Sequence, residues 1–468
     1  MIADRRIWVL FALFLIANAA YLHRVPGLFG DEGSEGENVY QLLESDRIVV
    51  VGERSYIGPL IDYVRTPFVL LFGYNALSLR LVTLLVSIAT FWLAATVLRR
   101  LFGEAALMAM ALLFFSPTYL LKQRLGWAIT LFPFFAFLLL FILTDTRLKL
   151  PYRSALAGLA AGLGLHNYIV YFPTLVGIGG SWLGVMLMWP AISAGSQKGF
   201  LWWMKFLFFF LLGFWAGFGS QFAVLQLFPE DQGEPAEVLS LVGERIAALP
   251  SALPPLLSGS AYAARYVGEG YSSITQGVIT AILLALVLLA VAVSERRKVA
   301  LAWLMGLALQ LTFLVLMVDR FTLRYFVVFV LGVWALAGIG LHVFTRKLTW
   351  LPLAAAIVLI AWTAATVFVP YLKTGGSTRL FSLGRYSDSS ADFVDIRPLI
   401  ACVHKAGPVW ADNPHVYNRL LFLSRGDKDI WLPFDRNQAN WIVDYRLPGE
   451  KAGVYCPELA HFRLTKRK

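Results

Sequence analysis

Charge is scarce in this chain and cysteine is nearly absent. Only 15% of the 468 residues are charged, against 58% hydrophobic, and the mean hydropathy is +0.67. These values exclude an ordinary soluble domain, in which about a quarter of residues are charged. The two cysteines, Cys402 and Cys456, form no Cys-x-x-Cys pair. They fall together in the C-terminal part, where one bridge is open to them in an oxidising compartment. There is no His-Glu-x-x-His, no Gly-rich phosphate loop and no internal repeat, so zinc chemistry, nucleotide hydrolysis and ATP-driven transport find no support.

What is present is apolar sequence in lengths that cross a bilayer, with 35 Phe and 15 Trp suited to lipid-facing helices and interfacial belts. Eleven segments read as membrane helices: 7–22, 77–98, 104–121, 127–144, 154–168, 170–189, 200–227, 274–293, 299–318, 325–344 and 350–370. The net charge of +11 raises the question of nucleic acid, but Lys and Arg punctuate the apolar segments instead of forming a patch. With a cytoplasmic N-terminus, every internal connection is basic: Arg5-Arg6, Arg99-Arg100, Arg147, Lys149 and Arg153, Lys198, Arg296-Arg297-Lys298, and Arg346-Lys347. The positive-inside rule then places the other connections and the tail outside. No small-residue cleavage site precedes Phe29, so the first segment is expected to be retained as a helix. The expected location is a prokaryotic plasma (inner) membrane, with membrane lipids as partners and no nucleic acid.

Two external loops are long, 23–76 and 229–273, and long loops in compact proteins are usually functional. After an acidic cluster in the first, Val39, Leu42 and Leu43 recur at helical spacing, predicting an amphipathic helix at the membrane interface. The second carries Glu230, Asp231, Glu234 and Glu237, then Pro250, Pro254 and Pro255. At about residue 373 the composition turns polar. Residues 1–372 are therefore expected to form the membrane module and 373–468 a small extracytoplasmic α/β domain, with a strand at Gly407–Asp412, a helix at Pro414–Leu423 and a strand at Asp429–Pro433.

Three constellations could carry chemistry. Phe29-Gly-Asp-Glu-Gly-Ser-Glu-Gly-Glu37 puts ionisable groups where the first helix leaves the bilayer, and a carboxylate there could act as a general base. The same residues also suit a helix start, since Ser34-x-x-Glu37 fits a capping box. Lys122 and Arg124, in the turn Ser116–Trp127, are cations on the outer side, placed for a phosphate at headgroup depth or for snorkelling to ordinary lipid. Asp319-Arg-Phe-Thr-Leu-Arg-Tyr325 offers Arg324 for the same anion, or for a local pair with Asp319. His166-Asn-Tyr168 receives no assigned role.

In order and placement these pieces resemble the polyprenyl-phosphate-sugar-dependent glycosyltransferases of the GT-C fold, in the protein O-mannosyltransferase-like or lipid A aminoarabinose transferase-like branches. The residues that carry the resemblance are Asp31-Glu32 with a helix after it, Tyr56-Ile-Gly-Pro-Leu-Ile-Asp-Tyr63, Pro67-Phe68, Phe72-Gly73, Leu79-Arg-Leu81, Ser116-Pro117 with Arg124, Phe132-Pro-Phe134, Gly158–Pro173 and Arg324-Tyr325. Trp410-Ala-Asp412 and Asn418–Leu423 resemble the tails of some bacterial members.

The resemblance implies an all-α polytopic membrane protein of about eleven transmembrane helices with a small C-terminal α/β appendage. It implies an inverting transferase that moves a sugar from a polyprenyl-phosphate carrier to an acceptor hydroxyl of a protein, lipid or polysaccharide outside the membrane. Asp31 would be the catalytic base and Glu32 would shape the site. Lys122 and Arg124, with Arg324 as a further candidate, would hold the departing phosphate. The second outer turn lacks the metal-binding carboxylates of the oligosaccharide-transferring relatives. No metal site is assigned, although Asp31, Glu32 and the 229–237 stretch could hold a hard cation through oxygens. A transporter or flippase of lipid-linked sugars is the alternative, and a non-catalytic scaffold a third reading.

Overall fold

The computed structural model describes residues 4–45, 57–188, 200–227, 242–317 and 323–378, and, in the C-terminal part, 380–383, 386–389, 393–430, 432, 436–446, 456 and 459–466. Helix occupies each of the eleven apolar segments. They correspond to α1 (Arg5–Ala19), α4 (Ala76–Phe102), α5 (Ala106–Phe115) with the short α6 (Pro117–Lys122), α7 (Phe132–Thr144), α8 (Leu150–Asn167), α9 (Phe172–Met188) and α10 (Phe200–Leu227). Then follow α13 (Ser273–Val293), α14 (Arg297–Met317), α15 (Val327–Thr345), and α16 (Leu351–Thr363) continued through a π-turn into α17 (Val369–Thr374). Among the described residues, seven apolar stretches are long enough to cross a membrane, and this is an integral membrane protein.

One of those seven, Ala76–Phe115, is a hairpin. Gly103 at φ +62° ends α4, and Phe91 and Phe114, on either side of it, have ring centroids 5.0 Å apart. A straight helix would separate them by about 34 Å at 1.5 Å per residue, so the chain reverses. The Ala- and Gly-rich α8 gains its place by close packing on α10. Cβ atoms added at Gly158 and Gly162 would strike the backbone of Phe210 and Phe214, and added at Gly213 and Gly217 that of Ala155 and Leu159. Two small-x-x-x-small faces thus meet backbone to backbone.

The alternation expected from the basic connections appears as two distinct ends of the bundle. At one end Arg6 reaches the Thr349 carbonyl at 3.4 Å. There also Arg100 donates to the Phe141 carbonyl at 3.0 Å and pairs with Asp145 at 3.1 Å, and Arg346 meets Glu295 at 2.7 Å. Gly58, Arg124, Asn167, Arg245 and Arg324 make their contacts at the other end.

At that second end, residues outside the spans fold as α2 (Gly30–Glu44), α3 (Leu60–Phe72), α11 (Val242–Leu257) and α12 (Ser260–Val267). The C-terminal part supplies a two-stranded hairpin, β1 (Leu380–Leu383) and β2 (Tyr386–Ser389), then α18 (Arg397–Ala406), β3 (Val409–Ala411), α19 (Pro414–Ser424), β4 (Trp441–Tyr445) and β5 (Phe462–Lys466). β3 and β4 are parallel with α19 as their crossover, and β5 closes antiparallel on β4. A disulfide joins Cys402 of α18 to Cys456.

Three expectations change. Among its described residues, Asp429–Pro433 forms no strand; Ile430 is buried in the small core instead, and the strand lies at 441–445. The capping box is not at Ser34 and Glu37, because the helix begins earlier: Phe29 is the N-cap and Glu32, three residues on, accepts its backbone N–H at 2.8 Å. Nor is α2 spread over an interface. Its first three turns are buried in protein, and Val39 joins a second hydrophobic core, shared with the C-terminal part, with Leu28, Val69, Leu79, Leu420 and Val443.

Candidate active site

At about 100° per residue, α2 turns Glu32 away from Asp31, while Glu35, one turn on, lies on the same flank as Asp31 but is enclosed by other elements. Glu32 points into protein and is fully buried. Arg80, near the start of α4, donates to it from Nε at 2.8 Å and Nη2 at 2.6 Å, and the Gly126 N–H donates as well. The remaining Arg80 donors reach the carbonyls of Leu22, Pro26 and Gly27 at 2.8–2.9 Å. Each charge in this buried pair is matched in full, which is the condition for tolerating one.

Glu35 enters a second buried cluster. Arg65 of α3 lies 2.6 Å from Glu35 and 3.0 Å from Asp62, and the Ala128 N–H donates to both Glu35 oxygens at 3.1–3.2 Å. Burial pushes the Glu35 carboxyl up to about 8, with Arg65 pulling against it and Asp62 adding to it. Two carboxylates share one guanidinium there, so a proton retained by Glu35 balances the charge.

Asp31 differs from both. Its side chain keeps 19% exposure, and its partner among the described residues is Arg324, at 3.4 Å. Arg324 also lies over the ring of Trp127, with Cζ 5.2 Å from the centroid, and over Tyr325 at 5.1 Å. The Lys122 ammonium stands 3.9 Å from the same Trp127 ring. Cations held on an aromatic face keep their charge available to a further anion. Arg324 Nε is buried with no hydrogen-bond partner among the described residues. Burial, reinforced by Arg265 and Arg324, holds the Lys122 ammonium well below the ordinary lysine pKa. An arriving anion would relieve both conditions.

Arg124 is placed otherwise than the phosphate reading expects. All three of its nitrogens donate to backbone carbonyls: Nε to Val25 at 2.9 Å, Nη1 to Ala17 at 2.8 Å, and Nη2 to Ala20. It closes the C-terminal end of α1, where orphan carbonyls gather. The motif Lys122-Gln-Arg124 thus divides, one cation facing the site and one facing a helix end. Of the expected residues, the structure brings together Asp31, Lys122 and Arg324, keeps Glu32 behind them as an anchor, and directs Arg124 away. Asp319, Glu230, Asp231, Glu234 and Glu237 lie outside the described residues.

Sequence reasoning passed over Trp127 as a site residue, and also Arg80, Arg65 and Arg265. Arg265 of α12 lies over the ring of Phe393 at 5.7 Å, and Phe393 stacks on Phe29 at 4.8 Å. The available signals were Arg65 and Arg80 standing within apolar helices, and Arg265 between Tyr262 and Tyr266. Among the described residues no three His, Cys, Asp or Glu side chains gather as a metal site.

No family model and no curated protein matches this chain in sequence. Solved structures do match in fold. ArnT from Cupriavidus metallidurans in the apo state aligns with a TM-score of 0.56 at 12% identity, covering 94% of this chain and 91% of that one. The same protein bound to undecaprenyl phosphate aligns with a TM-score of 0.52 at 16% identity, covering 79% of this chain. In that second match the chain spans 65% of the neighbour's length, just under two thirds. The bundle with its small C-terminal sheet therefore has the GT-C architecture of those structures.

Proposed function

We propose that this protein is a membrane-embedded glycosyltransferase that moves a sugar from a polyprenyl-phosphate carrier to an acceptor hydroxyl. One observation carries the reading: Asp31, open where Glu32 and Glu35 are enclosed, faces Lys122 and Arg324 on a shared tryptophan ring. A base and a cationic cradle side by side are what this transfer requires. The ArnT structure with undecaprenyl phosphate, alike in fold, supports a lipid phosphate as the anion.

Asp31 accepts the proton of the acceptor hydroxyl as its oxygen bonds to the anomeric carbon. The bond from that carbon to the phosphate oxygen breaks, and the electron pair leaves with the lipid phosphate. Lys122 and Arg324 meet the charge that grows on that phosphate, in a site poor in water where such donors act strongly. The Asp31 and Arg324 pair is long at 3.4 Å, and a phosphate taking Arg324 would release Asp31 to the acceptor. Glu32 does no chemistry; with Arg80 it sets where Asp31 stands. Residues 229–241 lie outside the described residues and take no part in this account.

The test is turnover in lipid with a panel of polyprenyl-phosphate sugars, comparing wild type with Asp31→Asn. Donor consumption that disappears in the variant supports the transferase and identifies the sugar. Donors that bind equally to both proteins, are not consumed, and cross the bilayer would overturn it in favour of a flippase.

A further inference from the structure

The glycines of the acidic motif fall at every third position, and they face the C-terminal domain. Gly30 lies against the ring of His415. A Cβ on Gly33 would stand 2.8 Å from the Asn418 carbonyl oxygen and 2.9 Å from Arg419 N, and one on Gly36 would stand 2.5 Å from the Phe422 ring. As the number rises along α2 it rises along α19, so the two helices run parallel in close contact for about two turns, with backbone meeting backbone at Gly33. By the 100° rotation per residue, the glycine face lies roughly opposite Asp31.

Beyond contact, α19 grips α2 at both ends. Arg419 is fully buried and donates from Nη1 to the Leu28 carbonyl at 3.2 Å, immediately before the N-cap Phe29. It also donates to the Val394 carbonyl at 3.1 Å, to the His415 carbonyl at 3.1 Å and to the Tyr445 hydroxyl. One guanidinium thus joins β4, α19, the 394 segment and the entry to α2. At the far end Arg425 pairs with Glu37 and lies 3.8 Å over the Tyr40 ring. Tilt and translation of α2 against α19 are therefore both restrained, and Asp31 sits in the first turn of the restrained helix.

We infer that the C-terminal domain is a working part of the site, with Arg419 a positioning residue for Asp31 that acts through α2. The inference rests on the base role proposed for Asp31. A displacement of about 1 Å at a reacting group can cost on the order of 10²-fold in rate. Loosening this clamp therefore lowers kcat, while donor affinity persists, because the cradle of Lys122 and Arg324 belongs to other elements.

The experiment measures kcat and donor KM in lipid for wild type, Asp31→Asn, Arg419→Lys and Arg425→Ala. The last variant lies at the rim, so it opens no core cavity and folds even where a change at Arg419 does not. A second readout needs no activity: both native cysteines are bridged, so Asp31→Cys supplies the sole free thiol, and its modification rate by a water-soluble maleimide reports the position of residue 31. The expected result is a kcat about 10- to 100-fold lower for Arg419→Lys and a smaller fall for Arg425→Ala. Donor KM stays within about twofold, and the labelling rate at residue 31 shifts severalfold in both backgrounds.

Wild-type kcat and labelling in both variants would overturn the inference alone. So would a kcat loss that only follows the fraction of folded protein, with labelling unchanged. Full activity of Asp31→Asn, or no donor consumed by wild type, would overturn the base reading instead, and the labelling rates would still decide whether α19 positions residue 31.

Discussion

The two sides of α2 are built from the same few residue types and do opposite things. On one side the glycines admit α19 closely, and further round the helix Glu32 and Glu35 are held by arginines that are themselves fully buried. Toward the cations, Asp31 keeps, among the described residues, a single long ion pair and part of its surface. A carboxylate with every lone pair matched is an anchor; one with an unfilled shell beside cations held on an aromatic ring is available for chemistry. Neighbouring positions on one helix therefore part in role through their surroundings, a difference that substitution can expose.

The largest effect is expected on the open side. Asp31→Asn should lower transfer by about 10²- to 10⁴-fold, the usual weight of a general base, while the protein keeps its unfolding temperature in lipid. Turnover kinetics beside a thermal melt check both halves.

On the closed side the pattern should invert. Arg80→Ala leaves Glu32 charged and buried without its partner, a loss of about 3–5 kcal/mol, and is expected to appear first as a lower melting temperature and poor recovery from detergent. A variant that melts like wild type and merely turns over slowly would make Arg80 a site residue.

Removing Lys122 as Lys122→Ala should reduce turnover by about 10²- to 10³-fold, the cost of one preorganised donor. Arg124→Ala should leave affinity for the lipid phosphate near wild type and loosen the end of α1. Titration with a polyprenyl phosphate distinguishes the two neighbours.

A smaller effect concerns pH. Burial lowers the Lys122 pKa, so this ammonium loses its proton at a lower pH than an ordinary lysine, and the attraction for an anion weakens as pH rises. Affinity for a polyprenyl phosphate should fall as pH rises, starting below the range in which an ordinary lysine loses its proton, and Lys122→Arg, which stays charged, should flatten that dependence. Binding isotherms across a pH series settle it; equal slopes for both proteins would remove Lys122 from the cradle.

Much of the bundle was legible in advance. Each apolar segment became a helix, and the basic connections among the described residues gathered at one end, because hydrocarbon length and charge placement are properties of consecutive residues. Legibility was poorer in the site. Asp31, Lys122 and Arg324 were readable as candidates, yet Arg124 looked equivalent to Lys122 until its nitrogens were found on the carbonyls of α1. The glycines between the acidic residues had no role in the sequence reading. Their purpose lies in Asn418 and Phe422, nearly 390 residues away.

The sequence by itself determined that this chain lies in a membrane, which apolar segments form its helices, and which few charges are candidates to meet a lipid phosphate. Only the tertiary structure decided which of those charges are anchors and which are open, and that a C-terminal helix lies against the acidic one. The reason is physical. Transfer of a segment into lipid depends on its own composition, whereas the role of a charge depends on the donors and acceptors that the fold brings within about 3 Å of it.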